Sequence, residues 1–353
     1  MNFFDAITDT FTNQNLMMVV MSSIIITLLG FFLRKKNIVN ETAGKTLSAV
    51  LLTVIIPALA FNSFMANIDY DSMIEGIHVL VWGFVLYVIL IGVTIPIFAK
   101  YKGDRQTVLR LLAIFGSTTF FGIPIISALF GPEAVLLANL FNISYRVFLY
   151  SYCYIKMSGL KMEKQNVKDM LLNPIVIATF AGLFIWLFQD WMPQIATGTN
   201  DYGYNIYHAV LRVDQTLPVF YRFVTFLSPL ASPVAWLAIG MTLAGISIKE
   251  ASKEKDAWYY SLVKIGFVPV VNLVLLMILV SVGILNISND GFAAMMIMMA
   301  TPAATVATAF AIGFDKEQVL ASNASLLSTV VAVFTMPLWI VIIEIVQSMG
   351  IFG

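Results

Sequence analysis

The sequence predicts an all-α integral membrane protein in which ten transmembrane helices form two inverted five-helix repeats. Three observations lead to this prediction: an apolar composition, an alternation of basic loops, and a short motif that recurs in the second half. Of the 353 residues, 59% are hydrophobic and only 11% are charged, and the mean hydropathy is +0.89. Soluble domains keep about a quarter of their residues charged, so this composition is typical of a bilayer protein.

Charge and cysteine content exclude several other classes of protein. Basic and acidic side chains are equal in number, 20 of each, so the net charge gives no reason to expect a nucleic-acid partner. The single cysteine, Cys153, excludes an internal disulfide and a cysteine metal cluster. The two histidines, His78 and His208, are too far apart along the chain to indicate a metal site. We therefore expect no cofactor and no metal.

Ten apolar segments are long enough to be transmembrane helices. A helix needs roughly 20 apolar residues to cross the hydrocarbon core, which is about 30 Å thick. Short polar stretches separate most of the segments. The predicted spans are 16–33, 46–66, 76–99, 108–130, 133–156, 172–191, 220–247, 258–285, 292–313 and 318–347.

The basic residues indicate which side of the membrane each loop occupies. Alternate loops, starting after the first span, hold 17 of the 20 Lys and Arg residues, and the opposite loops hold only Arg212 and Arg222. The opposite loops are acidic instead, at Asp69, Asp71 and Glu75. Basic loops remain in the cytoplasm, so we expect both termini to be extracellular. The predicted cytoplasmic residues are Arg34, Lys35, Lys36, Lys45, Lys100, Lys102, Arg105, Arg110, Lys156, Lys161, Lys164, Lys168, Lys249, Lys253, Lys255, Lys264 and Lys316.

The one long connection, 190–218, lies on the outer side by the same alternation. Within it, Ile206, Ala209, Val210 and Val213 follow helical spacing beside His208. This pattern predicts a helix that lies on the membrane surface. An ordinary loop rich in Gly and Asn accounts for the same composition equally well.

A recurring motif divides the chain into two halves. Glu133-Ala-Val-Leu-Leu-Ala-Asn139 opens the fifth span, and Glu317-Gln-Val-Leu-Ala-Ser-Asn323 opens the tenth. Chance could produce one such match, but prolines at similar places in the second and seventh spans, Pro57 and Pro233, favour a true repeat. Because five is odd, the second half enters the membrane from the opposite side, and the repeats are inverted. The predicted units are a first repeat at 1–157, a cytoplasmic linker at 158–171, and a second repeat at 172–353 that includes the extracellular connection 190–218.

Pro124 and Pro302 lie inside the fourth and ninth spans, at corresponding places in the two halves. Proline removes a backbone donor, and in lipid the freed groups need protein or water as partners. A simple kink is the alternative for either proline alone, whereas the pair predicts two broken helices and a substrate site. Thr301, directly before Pro302, indicates the start of a half-helix whose amides would favour an anion. The candidate site residues beside Pro124 are Thr118, Thr119 and Gly122.

Arg146 lies near the middle of the fifth span, where a charge costs several kcal/mol and usually faces the protein interior. No Asp or Glu lies at a matching depth in any predicted span. A guanidinium without an ion-pair partner suits a carboxylate ligand, which it can hold with two hydrogen bonds. The alternative is a structural arginine that donates to backbone carbonyls freed by the neighbouring helix break.

Asparagines form the remaining candidates for substrate binding. Asn139 and Asn142 share one helix face with Arg146, and Asn323 matches Asn139 in the repeat. Asn62, in the second span, is a weaker candidate of the same kind. Amide groups can hold a carboxylate or hydroxyl, but they also commonly connect helices to one another.

Other functions find less support in the sequence. It contains no paired intramembrane carboxylates, no nucleophile motif and no phosphate loop, so we do not expect an enzyme. A non-transporting receptor and a channel are the alternatives from other classes. The lack of a soluble domain argues against a receptor, and the pair of broken helices argues against a channel.

Several short motifs occur in a fixed order along nearly the whole chain. They are Ile56-Pro-Ala58, Phe121-Gly-Ile-Pro124, Phe130-Gly-Pro-Glu133, Gly240-Met-Thr-Leu243 and Thr301-Pro-Ala-Ala304. In this order they resemble the auxin efflux carrier family, which includes bacterial permeases for malate and malonate. The resemblance implies fourth and ninth helices that cross at their prolines beside an anion site. It also implies a scaffold that often forms homodimers and a transport part that moves like an elevator.

One departure from the family pattern bears on the substrate. Many members carry Asn ahead of the Gly-Pro element, where this chain has Ser117, Thr118 and Thr119, and this argues against a plant-type auxin specificity. Arg146 indicates a smaller and more strongly anionic carboxylate. We therefore expect a secondary carrier of a small organic anion such as malate in a bacterial plasma membrane. A carrier for an amino acid or another zwitterion with a carboxylate is the alternative.

Overall fold

The computed structural model describes residues 14–159, 168, 171–199, 202–245 and 251–353. Most of the predicted linker 158–171, with Lys161 and Lys164, lies outside the described residues, as does Lys249. The elements in chain order are α1 (Gln14–Lys35), α2 (Ala43–Ser63), α3 (Tyr70–Ile97), α4a (Gly103–Ile114), α4b (Thr118–Leu129), α5 (Gly131–Ser158), α6 (Pro174–Trp191), β1 (Gln194–Thr199), β2 (Asn205–Ala209), α7 (Pro218–Ala244), α8 (Lys255–Ser281), α9a (Asn289–Met299), α9b (Thr305–Gly313) and α10 (Gln318–Gln347). A single helical turn, Val213–Thr216, lies between β2 and α7.

Within the described residues, seven helices are long and apolar enough to cross a membrane: α2, α3, α5, α6, α7, α8 and α10. The segment Thr118–Leu129 is apolar but shorter, because the fourth helix is interrupted. The prediction of a mainly helical membrane protein is therefore confirmed. The strands β1 and β2 are an exception to the all-α prediction.

Side-chain caps define where several helices begin. Asp69 accepts a hydrogen bond from the backbone of Ser72 at 2.8 Å, and the Ser72 hydroxyl accepts one in return from the Asp69 amide. These hydrogen bonds with Ser72 hold the pKa of Asp69 below its usual value. Asn173 caps α6 ahead of Pro174, and Ser288 caps α9a. The polar breaks in the sequence thus fix the helix starts.

Wide helical turns, with backbone hydrogen bonds from residue i to i+5, precede three of the prolines. A proline cannot continue the ordinary i to i+4 ladder, and a wide turn before it shifts the register so that the helix continues. The pairs are Leu51–Ile55 before Pro57, Thr118–Gly122 before Pro124, and Val263–Phe267 before Pro269. Pro124 therefore lies in a continuous helix, and the prediction that the fourth helix breaks at this proline is wrong.

The fourth and ninth helices cross where both are interrupted, at Phe115–Ser117 in the fourth and at 300–304 in the ninth. The Ser117 amide donates to the Pro302 carbonyl at 2.8 Å, and the Ala304 amide donates to the Phe115 carbonyl at 3.0 Å. These two bonds pair short extended segments antiparallel and satisfy the backbone that the breaks release. The predicted break at Pro302 is confirmed. The second half-helix, however, starts at Thr305 after Ala304, and not at the Thr301-Pro302 pair.

The helices pack as two groups. One group contains α1, α2, α6 and α7, and the other contains α3, α4, α5, α8, α9 and α10. Glycines let the backbones of α1 and α7 touch, since a Cβ on Gly240 would lie 2.8 Å from the Phe31 amide nitrogen and one on Gly30 would lie 3.0 Å from the Leu237 carbonyl carbon. The four-helix group is therefore closely packed along this contact.

The long connection 190–218 contains an antiparallel hairpin of β1 and β2, so neither predicted form, a surface helix or an ordinary loop, is correct. Alternating β-branched and aromatic residues such as Ile195, Thr197 and Tyr207 favour strands, and the helical spacing of Ile206 and Ala209 was coincidental. The Thr197 hydroxyl and His208 Nδ1 lie 2.7 Å apart across the hairpin.

Arg212 connects the end of this segment to α6 and to the residues that follow α2. Its guanidinium donates to Gln189 Oε1 at 2.6 Å and to Asn67 Oδ1 at 3.0 Å, and it pairs with Asp214 at 2.7 Å. Burial alone would raise the pKa of Asp214, but the hydrogen bonds from Arg212 outweigh it, and that pKa is lowered. Arg212 is therefore a structural residue.

Candidate functional site

A cavity lies beside the helix crossing, at the junction of the two helix groups. The six-helix group contributes residues from α4, α5 and α9b, and the four-helix group contributes residues from α2 and α6. The lining side chains are Leu52, Ser117, Thr119, Phe120, Tyr145, Arg146, Leu149, Tyr150, Asn173, Ile175, Val176, Thr305 and Val306.

Arg146 is the one charged side chain among these lining residues, and it is 7% exposed. Its Nη1 donates to the Thr179 hydroxyl at 3.3 Å, and its Nη2 has no hydrogen-bond partner among the described residues. Thr179 lies on α6, so this contact joins the two helix groups. A buried donor without a partner, on a side chain that lines a cavity, can be satisfied by an acceptor from a ligand. The alternative, in which Arg146 donates to backbone carbonyls freed by the helix break, finds no support in these contacts.

Two half-helices begin at the cavity wall. α4b starts at Thr118, next to Ser117, and α9b starts at Thr305, which is exposed. The first amides of a helix point outward, and the helix dipole adds partial positive charge at this end. Arg146 and both helix starts therefore give the cavity a positive character that suits an anion.

Of the predicted asparagines, Asn142 lies nearest to this site. Its Nδ2 donates to the Thr119 hydroxyl at 3.4 Å, and Thr119 lines the cavity. Asn139, one turn earlier, donates to the Val135 carbonyl at 2.9 Å and to the Ser63 hydroxyl at 3.3 Å, which connects α5 to α2. Both amide oxygens are buried without hydrogen-bond partners among the described residues.

Other predicted site residues lie elsewhere. Asn62 lines a second cavity between α1, α2, α4b and α7. Gly122 packs against α9a, since a Cβ there would lie 3.2 Å from both Met298 and Thr301. Asn323 is partly exposed near the start of α10 and lines none of the described cavities.

The remaining candidates belong to the crossing and its supports. The Pro124 carbonyl accepts a hydrogen bond from Ser232 of α7 at 2.5 Å, which ties α4b to the four-helix group. Thr118 and Thr301 are fully buried, and the Thr301 hydroxyl donates to the Met298 carbonyl at 2.8 Å. Pro302 pairs with Ser117, so the crossing forms one wall of the cavity.

Sequence reasoning missed several lining residues. Tyr150 follows Arg146 by one helical turn, and Asn173 caps α6, so helical spacing and capping could have identified both. Thr305 carried no signal, because the start of α9b depends on pairing with a distant segment.

Lys264 was assigned to a cytoplasmic loop, and this prediction is wrong. The residue lies in the wide turn Val263–Phe267 within α8 and is 0% exposed. Its position inside the predicted span 258–285 was the signal that the charge count overlooked. Among the described residues, no group of three or more His, Cys, Asp or Glu side chains could hold a metal ion.

Comparisons with known proteins agree with a transport role. The family model described as membrane transport protein matches residues 15–171 and 158–340. An uncharacterized transporter of Methanothermobacter thermautotrophicus is 22% identical over 333 residues, covering 92% of this chain and 97% of that protein. One from Methanocaldococcus jannaschii is 24% identical over 177 residues, and the match spans 48% of this chain and 57% of that relative. The chain is therefore a multi-pass membrane protein that belongs to the membrane transport protein family, the auxin efflux carriers.

Proposed function

We propose that the protein is a secondary carrier of a small organic anion, a mono- or dicarboxylate such as malate. The observation that carries this proposal is Arg146, whose side chain lines a cavity beside two helix starts and whose buried Nη2 has no hydrogen-bond partner among the described residues. A carboxylate there would accept from the guanidinium and from backbone amides, replacing the water that it loses.

The two helix groups support a proposal of alternating access. The cavity with Arg146 and the second cavity with Asn62 both lie between the same two groups. Movement of the six-helix group along the four-helix group would carry Arg146 from one side of this junction toward the other. We propose this elevator-like movement of ten transmembrane helices arranged as two inverted repeats.

The charge of the cavity favours an anion over a zwitterion. No carboxylate is present among the described residues that line it, so the ammonium group of an amino acid would have no counter-ion. The rings of Tyr145 and Tyr150 could hold an ammonium group only weakly in comparison. Malate should therefore compete better than an amino acid of similar size.

Location and assembly form part of the same proposal. We place the protein in a bacterial plasma membrane with both termini outside, because most basic residues lie in alternate loops. Single cysteines introduced at Asn37 and at Tyr202, in the Cys153→Ser background, should be labelled from opposite sides of the membrane. We expect labelling of position 37 from the cytoplasm and of position 202 from outside. We also propose a homodimer, which native mass spectrometry of the purified protein would detect.

The direct test is exchange of radiolabelled malate in proteoliposomes. Wild type should exchange malate, and Arg146→Ala should lower the rate by about 100-fold, because a buried hydrogen-bonded charge contributes 2–5 kcal/mol to binding. Arg222→Ala is the matched control, since this exposed arginine stacks on Phe226 away from the cavity.

Three results would contradict the proposal. A folded Arg146→Ala that exchanges malate at the wild-type rate would remove the role of the guanidinium. Stronger competition by serine or alanine than by malate would favour the zwitterion carrier. Binding of malate without any flux would favour a receptor.

A further inference from the structure

Lys264 of α8 lies against the helix crossing, and no described residue serves as its counter-ion. Its Nζ has no hydrogen-bond partner among the described residues. A Cβ placed on Gly116 would lie 2.9 Å from Lys264 Nζ and closer still to the Thr301 hydroxyl. Lys264 Nζ therefore lies beside Gly116, where the fourth helix is interrupted, and Thr301 of the interrupted ninth helix lies beside the same glycine.

The charged side chains of α4a, which packs against the wide turn that holds Lys264, have partners elsewhere. These contacts lie toward the cytoplasmic end of the helix or on α3, so they leave Lys264 without an acid. Arg105 pairs with Glu254, Asp256 and Glu317, Asp104 pairs with Lys316, and Arg110 donates to the Ile91 carbonyl.

The described residues of the other neighbouring helices also supply no acid at this depth. On α10, Glu344 lies more than one turn beyond Trp339, whose indole donates to the Ile265 carbonyl at 2.8 Å. On α9a the charged residue is Asp290, in the first turn and far from the crossing. The titratable group next to Lys264 on α8 itself is Tyr260, whose hydroxyl donates to the Leu112 carbonyl at 3.1 Å.

Two helix ends take the place of a counter-ion. α4a ends at Ile114, just before Gly116, and α9a ends at Met299, just before Thr301. The carboxyl end of a helix carries partial negative charge, so both ends favour a cation at Lys264. Because no carboxylate is paired with it, loss of the Lys264 proton would leave no buried anion behind.

Arg146 and Lys264 influence each other through the same short segment. Ser117 lines the cavity of Arg146, and the preceding Gly116 abuts Lys264, so the two cations flank the crossing. Two like charges in a low-dielectric region disfavour each other, and an anion bound at Arg146 offsets this repulsion. Anion binding and protonation of Lys264 must then favour each other reciprocally.

We propose that Lys264 is the proton-binding site that couples this carrier to a proton gradient. A proton from solution binds the Nζ amine as the carboxylate binds Arg146, and both are released on the opposite side. One proton and one anion therefore cross together, and no other reactant is required. Both residues belong to the six-helix group, so they move as one body. This inference rests on the proposed anion transport.

The experiment compares two activities of the full chain in proteoliposomes with radiolabelled malate. One is exchange without a pH gradient, and the other is net uptake driven by an acidic exterior with the membrane potential clamped. Wild type should accumulate malate by up to about tenfold for each pH unit of gradient, since one unit equals 1.36 kcal/mol. Lys264→Met should lose this accumulation but retain exchange within a few-fold. Lys36→Met, at an exposed lysine, is the control.

A second measurement uses wild type alone, so it tests the inference even where Lys264→Met fails to fold. Malate is added to purified wild type in weakly buffered solution near pH 8, where malate is fully ionised, and proton uptake is recorded. We expect up to one proton per malate bound. Malate binding without proton uptake between about pH 6 and pH 9 would overturn the inference.

The remaining outcomes separate this inference from the proposed function. If Lys264→Met accumulates malate from the gradient as wild type does, Lys264 is not the coupling site, although anion transport stands. If wild type exchanges no malate, the malate carrier proposal fails, and the coupling inference fails with it.

Discussion

Arg146 and Lys264 are two buried basic side chains beside one helix crossing, and their surroundings differ. Arg146 opens into a cavity and donates to Thr179 of the other helix group, whereas Lys264 is sealed against the crossing itself. Both have a nitrogen without a hydrogen-bond partner among the described residues. The comparison teaches that access, more than burial, determines what a charge inside the membrane can bind. An open guanidinium can receive a substrate, whereas a sealed amine can receive only something as small as a proton.

The largest effect should come from Arg146→Lys, which keeps the charge but loses the planar fork. We expect malate to bind about 100-fold more weakly, a loss of about 3 kcal/mol, because a carboxylate can no longer be held by two parallel hydrogen bonds. Isothermal titration with malate measures this loss. Arg110→Lys, whose guanidinium donates to a backbone carbonyl, should bind malate normally. Equal affinities for Arg146→Lys and wild type would show that Arg146 contributes only its charge.

A somewhat smaller effect should follow from filling the space between Lys264 and the helix crossing. In Gly116→Ala the new methyl group would meet Thr301 and Lys264, and such overpacking costs about 1–3 kcal/mol of folding stability. A thermal melt of the purified protein should show a lower Tm. Gly92→Ala has no neighbour within 4 Å of its new methyl group, so it should leave the Tm unchanged or raise it. An unchanged Tm for Gly116→Ala would mean that the crossing is looser than these contacts indicate.

The smallest effect should come from Thr179→Val, which removes the hydroxyl that accepts from Arg146. Affinity for malate should fall by less than about tenfold, since one neutral acceptor contributes about 1 kcal/mol. Thr308→Val is the matched control, because Thr308 is also buried and also donates to the carbonyl four residues earlier. A loss of affinity as large as that of Arg146→Lys would show that Thr179 fixes the position of the guanidinium and does more than accept one hydrogen bond from it.

Local chemistry explains which parts of this comparison were predictable. Arg146 was identifiable because a charge in the middle of an apolar span has few explanations. Lys264 was misassigned because a lysine near the end of a span looks like a loop residue when basic residues are counted by proximity. Burial against Gly116 depends on the path of another helix, which no local pattern contains.

The same distinction applies to the backbone. The break at Pro302 was predictable because it requires only one residue type in one span. The break at Phe115–Ser117 was not, because it contains no proline and is defined by pairing with residues of the second half. The hairpin of β1 and β2 was missed because Ile206, Ala209 and Val210 fit the helical period by coincidence.

The two backbone hydrogen bonds at the crossing have a consequence for biosynthesis. The amide of Ser117 and the carbonyl of Phe115 have their partners in Pro302 and Ala304, which the ribosome adds much later. Until then the fourth helix carries open backbone groups, which are costly in hydrocarbon. The first half of the chain therefore cannot complete its fold in the membrane before the ninth helix arrives, and nascent chains that stop short of it should be substrates for membrane quality control.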